Sequence, residues 1–471
     1  MQSRKKIAFF SLKKLAIPKK SHIFVLYKKK KISVMIDLKG KYTDAKIFTD
    51  NIEEEALKQI YDIINSKPFS GQTIRIMPDV HAGAGITIGF VSTLGDYVCP
   101  SHVGVDIGCT VSMKMLDKPI PADKYAEFNH KVLQQIGFGF DPSPKRAYSD
   151  RDLYDYLTLE CNRAKSAHPE LFYNLPDKVT QEWITKFCKR INIQEKVFYS
   201  SINSVGGGNH FIEYDENEED GVFGVSVHTG SRNLGKKVCE YWENVAKQTL
   251  TKDQRKKVTS EFKEHYLETH SKMNNFKEDL EKHIAELTKG KINGYLNGEN
   301  MHGYFCDMVI SMAYAKFNHM TIHKTIQKIL NGYGIKAVDE IVSTHNYIDF
   351  SGDVPVIRKG AIRSFEGEKM LVPFNMRDGI AICEGKSNDE WLRSCSHGAG
   401  RKMSRMKAKS SLSMDEFKST MDGIYSTTVC ADTIDEAPMA YKDTEEIKGI
   451  IKETCDVKVM VKPKINIKST K

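Results

Sequence analysis

The stretch SCSHGAGR, residues 394–401, sets His397 between a serine and a glycine–alanine–glycine turn. Small neighbours let a phosphate or nucleotide approach the backbone, and nothing bulky in the sequence shields the imidazole. From this alone His397 is a nucleophile, a metal ligand or a histidine in a tight bend. Further short stretches, most of them Gly-rich, carry ligand-type residues. MPDVHAGAGITIGF (77–90) holds Asp79 and His81, and HVGVDIGCTV (102–111) holds Asp106 and Cys109. GGGNHFIE (206–213) offers Asn209, His210 and Glu213, and VHTGSRNLG (227–235) offers His228 and Arg232. STHNYID (343–349) adds His345 and Asn346.

Carboxylate, thiolate and imidazole together can hold divalent metals, and one thiolate can bridge two ions. Any one of these stretches is well explained as a plain turn; all of them furnished with ligand-type residues are not. Arg401, just beyond His397, suits a phosphate. A metal cluster, a separate histidine and an arginine together suggest phosphoryl or nucleotidyl transfer. Other histidines read differently. His319 and His323 share one side of an expected helix, but HMTIH lacks the glutamate of an HExxH zinc motif, so a packed or surface helix is expected. His81, His102 and His302 are more often structural than ligating. The triple glycine at 206–208 is no Walker A loop, because no GK[ST] follows, and no G-x-S-x-G motif supports a hydrolase triad.

These residues need elements to hold them. Runs rich in β-branched residues predict strands at TIRIMPDV (73–80), GVFGVSVHTG (221–230), DEIVSTHNYIDF (339–350) and PVIRKGAIRSF (355–365). Several of them end at a histidine or aspartate, where strand ends place site residues. Amphipathic helices are expected at about 122–137, 233–250, 254–270 and 302–331, and the charged region 251–300 reads as surface helix and loop. With no repeat and no linker-like composition, a single mixed α+β body over about 37–468 is expected.

The chain's 471 residues suffice for a sizeable core, and no stretch approaches the roughly 20 apolar residues that span a bilayer. It carries 70 basic and 61 acidic side chains. Eleven of the basic ones and no acid fall within residues 1–36, from Arg4 to Lys31, so the body is nearly neutral. Overall charge is therefore no argument for nucleic-acid binding. The leader reads as a transit peptide, a nucleic-acid-binding arm or an extension upstream of the functional start; its apolar runs are too often broken by lysine for a signal peptide. The ten cysteines form no CxxC pair and no framework, which fits a reduced, cytoplasmic protein.

DIGC (106–109), GGGNHF (206–211), VHTGSR (227–232), HN (345–346) and SHGAGR (396–401), in that order, resemble the RtcB family of RNA ligases, from Met35 to about Lys468. The resemblance implies an α+β fold: one large RtcB-like domain at 35–471 with mixed sheets around a dinuclear metal site. Residues 1–34 would be a basic extension, disordered or dispensable. It implies a GTP- and manganese-dependent enzyme that joins RNA ending in a 3′-phosphate or 2′,3′-cyclic phosphate to RNA with a 5′-hydroxyl, in splicing or repair. Asp106, Cys109, His210, His228 and His345 would hold two manganese ions, with Cys109 as the bridge, although ligand softness alone would favour zinc. His397 would be the guanylylated nucleophile. The nucleotide would lie against Asn209, His210, Phe211, Glu213, His345, Asn346, Asn375, Met376, His397, Gly398, Ala399, Gly400, Tyr441 and Lys468. Glu213 would accept from the guanine edge, Lys468 would reach the guanine and Tyr441 would pack on the base. Arg232 and Arg401 would hold RNA phosphate, with Asp79 a nearby carboxylate.

RNA ends and GTP are the implied partners of a monomer, with no membrane; whether a helper protein joins them is left open. PFNMRDG (373–379) stands where many members have PGSMG, so the guanosine contacts and nucleotide preference are where this chain departs. The competing readings are a metal-dependent phosphodiesterase or hydrolase without guanylylation, and a non-catalytic RNA-end-binding protein.

Overall fold

Two seven-stranded sheets carry the histidine-bearing turns at their strand ends. The computed structural model describes residues 24–26, 35–247, 252–269, 273–287 and 292–470, and counts of elements refer to these. One sheet runs Phe24–Leu26, Met35–Lys39, Asp44–Ile47, Ile74–His81, Ile88–Thr93, Val356–Lys359, Tyr347–Asp349. Its pairs are antiparallel except where Asp44–Ile47 runs parallel to Ile74–His81. The other runs Lys369–Asn375, Gly379–Gly385, Cys455–Ile467, Phe211–Asn217, Val222–Thr229, Thr110–Leu116, Ala337–Thr344, all antiparallel. A short ribbon, Ala361–Arg363 paired with Ser394–Ser396, leads directly to His397. The expected mixed α+β architecture in one domain is what the chain adopts.

The second sheet curls until its edge strands touch: Leu371 N donates to Ser343 Oγ at 2.7 Å. Its inner face packs Val111, Met113, Ile341, Leu371 and Val461 together. Its outer face sets Ile212, Val225 and Val227 against Ile322 and Ile326 of the helix Gly298–Asn331. That helix is buried over most of its circumference, with Lys316, Met320, Lys324 and Lys328 on an exposed strip. His319 and His323 lie on it and are buried. The Ser112 hydroxyl stands 2.8 Å from His319 Nδ1 and 2.7 Å from His323 Nε2, and His319 Nε2 donates to the Thr229 carbonyl at 2.9 Å. Both rings tie helix to sheet, in line with the packed-helix expectation.

Helices Tyr125–Gln135, Arg232–Lys247, Lys252–Thr269 and Gly298–Asn331 match the amphipathic runs. Asp150–Ala167 and Gln181–Arg190 are helices beyond those expected from the sequence. Asp150–Ala167 buries only Leu153, Leu157 and Cys161, a stripe one residue wide, and starts from a capping box at Ser149. Two expected strands are each interrupted. The run 339–350 breaks at His345–Asn346, where Asn346 has φ 61°, and 355–365 breaks at Gly360, φ 59°. At each break the chain leaves one sheet for another element, and a Cβ at Gly360 would stand 2.1 Å from Ile88 Cγ2. The leader lies outside the described residues except Phe24–Leu26, which pairs with Met35–Lys39. No helix among the described residues is long and apolar enough to cross a membrane.

Candidate active site

Strand pairing brings the ligand-type residues together. Thr110 sits opposite both Thr229 and Thr344, and Phe211 opposite His228, so Cys109, His210, His228 and His345 all fall at one end of the curled sheet. Cys109 Sγ is 3.3 Å from His210 Nε2 and 3.3 Å from His228 Nε2. Asp106 Oδ2 is 3.1 Å from His210 Nε2. Two trios result, Asp106–Cys109–His210 and Cys109–His228–His345, and within each the ligand atoms lie within 4.8 Å of one another. Cys109 belongs to both.

The chemistry of this donor set fits a metal pair. Burial holds His228 and His345 well below the ordinary imidazole range, leaving them neutral and ready to coordinate. His345 Nδ1 is buried with no hydrogen-bond partner, a cost that a metal bond would remove. His210 Nδ1 donates to the Val205 carbonyl at 2.9 Å, which turns Nε2 toward the cluster. Burial and the neighbouring Asp106 push the Cys109 thiol well up, and a cation beside it would reverse that. Burial works against charge on Asp106, yet His210 and Cys109 hold its carboxyl below the usual value.

His397 stands beside this cluster, its ring 4.8 Å from that of His345. Its Nδ1 donates to Asp79 Oδ2 at 2.7 Å, and the Asp79 side chain is fully buried. With Nδ1 engaged, Nε2 is the free nitrogen. The glycines after His397 allow the approach: at Gly400, φ 74°, a Cβ would lie 2.1 Å from the Asp79 carbonyl oxygen. Lys442 braces the same turn. Its backbone N–H donates to Gly400 O at 2.9 Å, and its ammonium donates to Pro78 O at 3.0 Å and Asn51 O at 2.7 Å.

A cavity of about 610 Å³ opens over His397 and the donor set. Asn209, Phe211, Glu213, Asn346, Asn375, Met376, Gly398, Ala399, Gly400, Arg401, Tyr441 and Lys468 all line it. Glu213 is raised well above the usual carboxyl range by burial and the neighbouring Asp215, and accepts from Asn466 Nδ2 at 2.5 Å. Lys468, lowered by burial, lies 5.6 Å over the Phe211 ring and 3.7 Å from Glu436 Oε2. Asn346 pins two turns: its amide donates to Asp106 O at 3.1 Å and accepts from Gly360 N at 2.8 Å. Arg401 donates to the Asp435 carbonyl at 2.6 Å with its guanidinium 5.3 Å over Tyr441. Arg232 is set apart from the cavity lining: it donates to Gly139 O at 2.6 Å and Ser204 Oγ at 3.1 Å, in a left-handed backbone conformation, φ 56°.

Glu436 is the site residue that sequence reasoning missed. Buried at 3% exposure, it accepts from Tyr441 Oη at 2.6 Å and pairs with Arg405, Arg401 and Lys468. Burial opposes its charge, but those three cations hold its carboxyl below the ordinary value. The available signal was position: it opens the stretch EAPMAYKD (436–443) that supplies Tyr441.

An oriented imidazole beside a cysteine-centred donor set, in a cavity of nucleotide size, is suited to metal-assisted group transfer. Residues 59–469 match the family described as RtcB, tRNA-splicing ligase RtcB. The RNA-splicing ligase RtcB of Escherichia coli (strain K12) is 28% identical over 429 residues, covering 86% of this chain and 92% of that protein. The tRNA-splicing ligase RtcB of Archaeoglobus fulgidus is 24% identical over 458 residues, covering 85% and 88% respectively. That of Nanoarchaeum equitans is 24% identical over 491 residues, covering 92% and 94%. The chain is an enzyme and belongs to the RtcB family of RNA-splicing ligases.

Proposed function

We propose that the protein joins RNA ending in a 3′-phosphate or 2′,3′-cyclic phosphate to RNA with a 5′-hydroxyl, using GTP through a guanylylated His397. The observation that carries this reading is the Asp79–His397 bond of 2.7 Å beside the Cys109-centred donor set. Asp106, Cys109, His210, His228 and His345 would hold two manganese ions, which when bound would polarise phosphate oxygens as Lewis acids.

His397 Nε2 attacks the α-phosphorus of GTP, and the bond to pyrophosphate breaks. Asp79 holds the ring in the tautomer that frees Nε2 and stabilises the positive charge that develops on it. The RNA 3′-phosphate oxygen then attacks the guanylyl phosphorus, leaving His397 free and the RNA end activated. The 5′-hydroxyl of the second RNA attacks that end and GMP departs. A cyclic phosphate is first opened by water. Glu213, Glu436 and Lys468 supply an acceptor–cation pattern for the guanine, and Tyr441 an aromatic face. Arg401 offers a phosphate contact at the same wall, and Arg232 acts from behind the donor set.

The test is incubation with α-labelled GTP and manganese, a denaturing gel and peptide mapping. Label on His397 that chases into 3′-phosphate RNA is the expected result. Turnover of RNA ends without label would instead mean a phosphodiesterase.

A further inference from the structure

We propose that His81 Nε2 takes the proton of the RNA 5′-hydroxyl as that hydroxyl attacks the activated 3′ end, an assignment that rests on the ligase reading above. Asp79 orients two imidazoles at once. Its side chain holds His397, and its backbone carbonyl oxygen lies 3.0 Å from His81 Nδ1. A carbonyl only accepts, so Nδ1 of His81 carries the hydrogen and Nε2 of the neutral ring carries the lone pair. That Nε2 has no partner among the described residues, and His81 lines the same cavity as His397.

The ring is fixed where it stands. Ala82 N donates to Glu53 Oε1 at 2.5 Å, and the Gln59 amide bonds both the N–H and the carbonyl of Gly83, at 3.2 and 2.8 Å. In the strand ladder His81 faces Ile88. Ile88 in turn packs on Gly360, where a Cβ would come within 3.3 Å of His397 Cε1. The two histidines therefore share one wall. Burial holds the His81 ring down at about 4, with Asp79 opposing and His397 and Lys442 reinforcing, so it is unprotonated at neutral pH. No other step of the mechanism uses it.

In the joining step the 5′-oxygen forms a bond to the phosphorus of the RNA 3′ end. The bond from that phosphorus to the oxygen bridging to GMP breaks, and GMP leaves with the electron pair. The hydroxyl proton passes to Nε2 and then to water. General-base help of this kind is worth about 10²- to 10⁴-fold.

Two substitutions separate this role from a structural one. In His81→Asn the amide N–H₂ keeps the bond to the Asp79 carbonyl while the Nε2 lone pair is lost; His81→Ala loses both. Rapid-quench assays with α-labelled GTP, 3′-phosphate RNA and 5′-hydroxyl RNA resolve the His397 adduct, the activated RNA and the joined product. For His81→Asn the first two form within about threefold of wild type while joining falls about 100-fold and activated RNA accumulates. Added imidazole raises joining by His81→Ala and leaves wild type unchanged. Joining at the wild-type rate in His81→Asn, or equal slowing of all three steps, overturns the assignment. Absence of label on the wild-type protein overturns the ligase reading itself.

Discussion

Asp79 Oδ2 and His397 Nδ1 meet at 2.7 Å across 318 residues of chain. The contact engages Nδ1 of His397 and leaves Nε2 free, the nitrogen that attacks in the proposed reaction. Asp79→Asn keeps the volume but loses the charge, and its amide can present N–H to Nδ1 and force the wrong tautomer. Guanylylation is expected to slow by about 10²-fold or more while the thermal midpoint changes little. Single-turnover label incorporation alongside a melting curve checks both.

Cys109 is the residue shared by both donor trios. Cys109→Ala is expected to lower bound manganese in equilibrium dialysis and to abolish label on His397. Guanylylation at full rate in this variant would refute the metal assignment.

Glu436→Gln removes the carboxylate that collects Arg401, Arg405 and Lys468. Lys468 and Tyr441 lose a charge-assisted partner, worth about 1.5–3 kcal/mol. Half-saturation of labelling should need about tenfold more GTP, with a smaller change in the saturated rate. Unchanged GTP dependence would separate Glu436 from the nucleotide.

A buried ion pair anchors the strand Val356–Lys359. Arg358 is 1% exposed and donates to Asp349 Oδ2 at 2.6 Å and Ser394 Oγ at 2.9 Å. Asp349→Asn strands a buried guanidinium and is expected to cost about 3–5 kcal/mol. Burial opposes charge on Asp349, yet Arg358 and Ser351 hold its carboxyl below the ordinary value. A lowered folded value means the stabilisation is complete above the unfolded value, about 3.9, and is lost as pH falls through the folded one. The melting difference between wild type and variant should therefore be constant through neutral pH and shrink in acid.

Deleting residues 1–34 is expected to leave labelling and joining intact in vitro, with the loss of the edge strand Phe24–Leu26 affecting the melting point at most. A truncated protein that folds but does not ligate would make the leader a working part.

Much of the site was legible because its residues sit in short-range patterns. Cys109, His210, His228, His345 and His397 lie at or next to a strand end, and all of them but His345, together with Asp106, have a glycine within two residues, so type and neighbourhood together mark them. Glu436 carries no such mark. It works through Arg401, Arg405 and Lys468, which only the fold brings to it. The breaks at Asn346 and Gly360 were hidden for a similar reason: the β-branched runs around them continue smoothly, and the change of sheet is a tertiary event. The strand Cys455–Ile467, by contrast, alternates Val457, Val459 and Val461 with lysines and a methionine, and its period of two was there to be read.

The position of Cys455–Ile467 has a consequence for biosynthesis. Although late in the chain, this strand is internal to the sheet, between Gly379–Gly385 and Phe211–Asn217. A ribosome that has not yet delivered it has made Asp79 and His397 but left the sheet in two pieces. Lys468, immediately after it, closes the cavity wall. A translation product that stops before this strand therefore lacks the centre of the sheet and Lys468, and the cavity beside His397 is left without one wall.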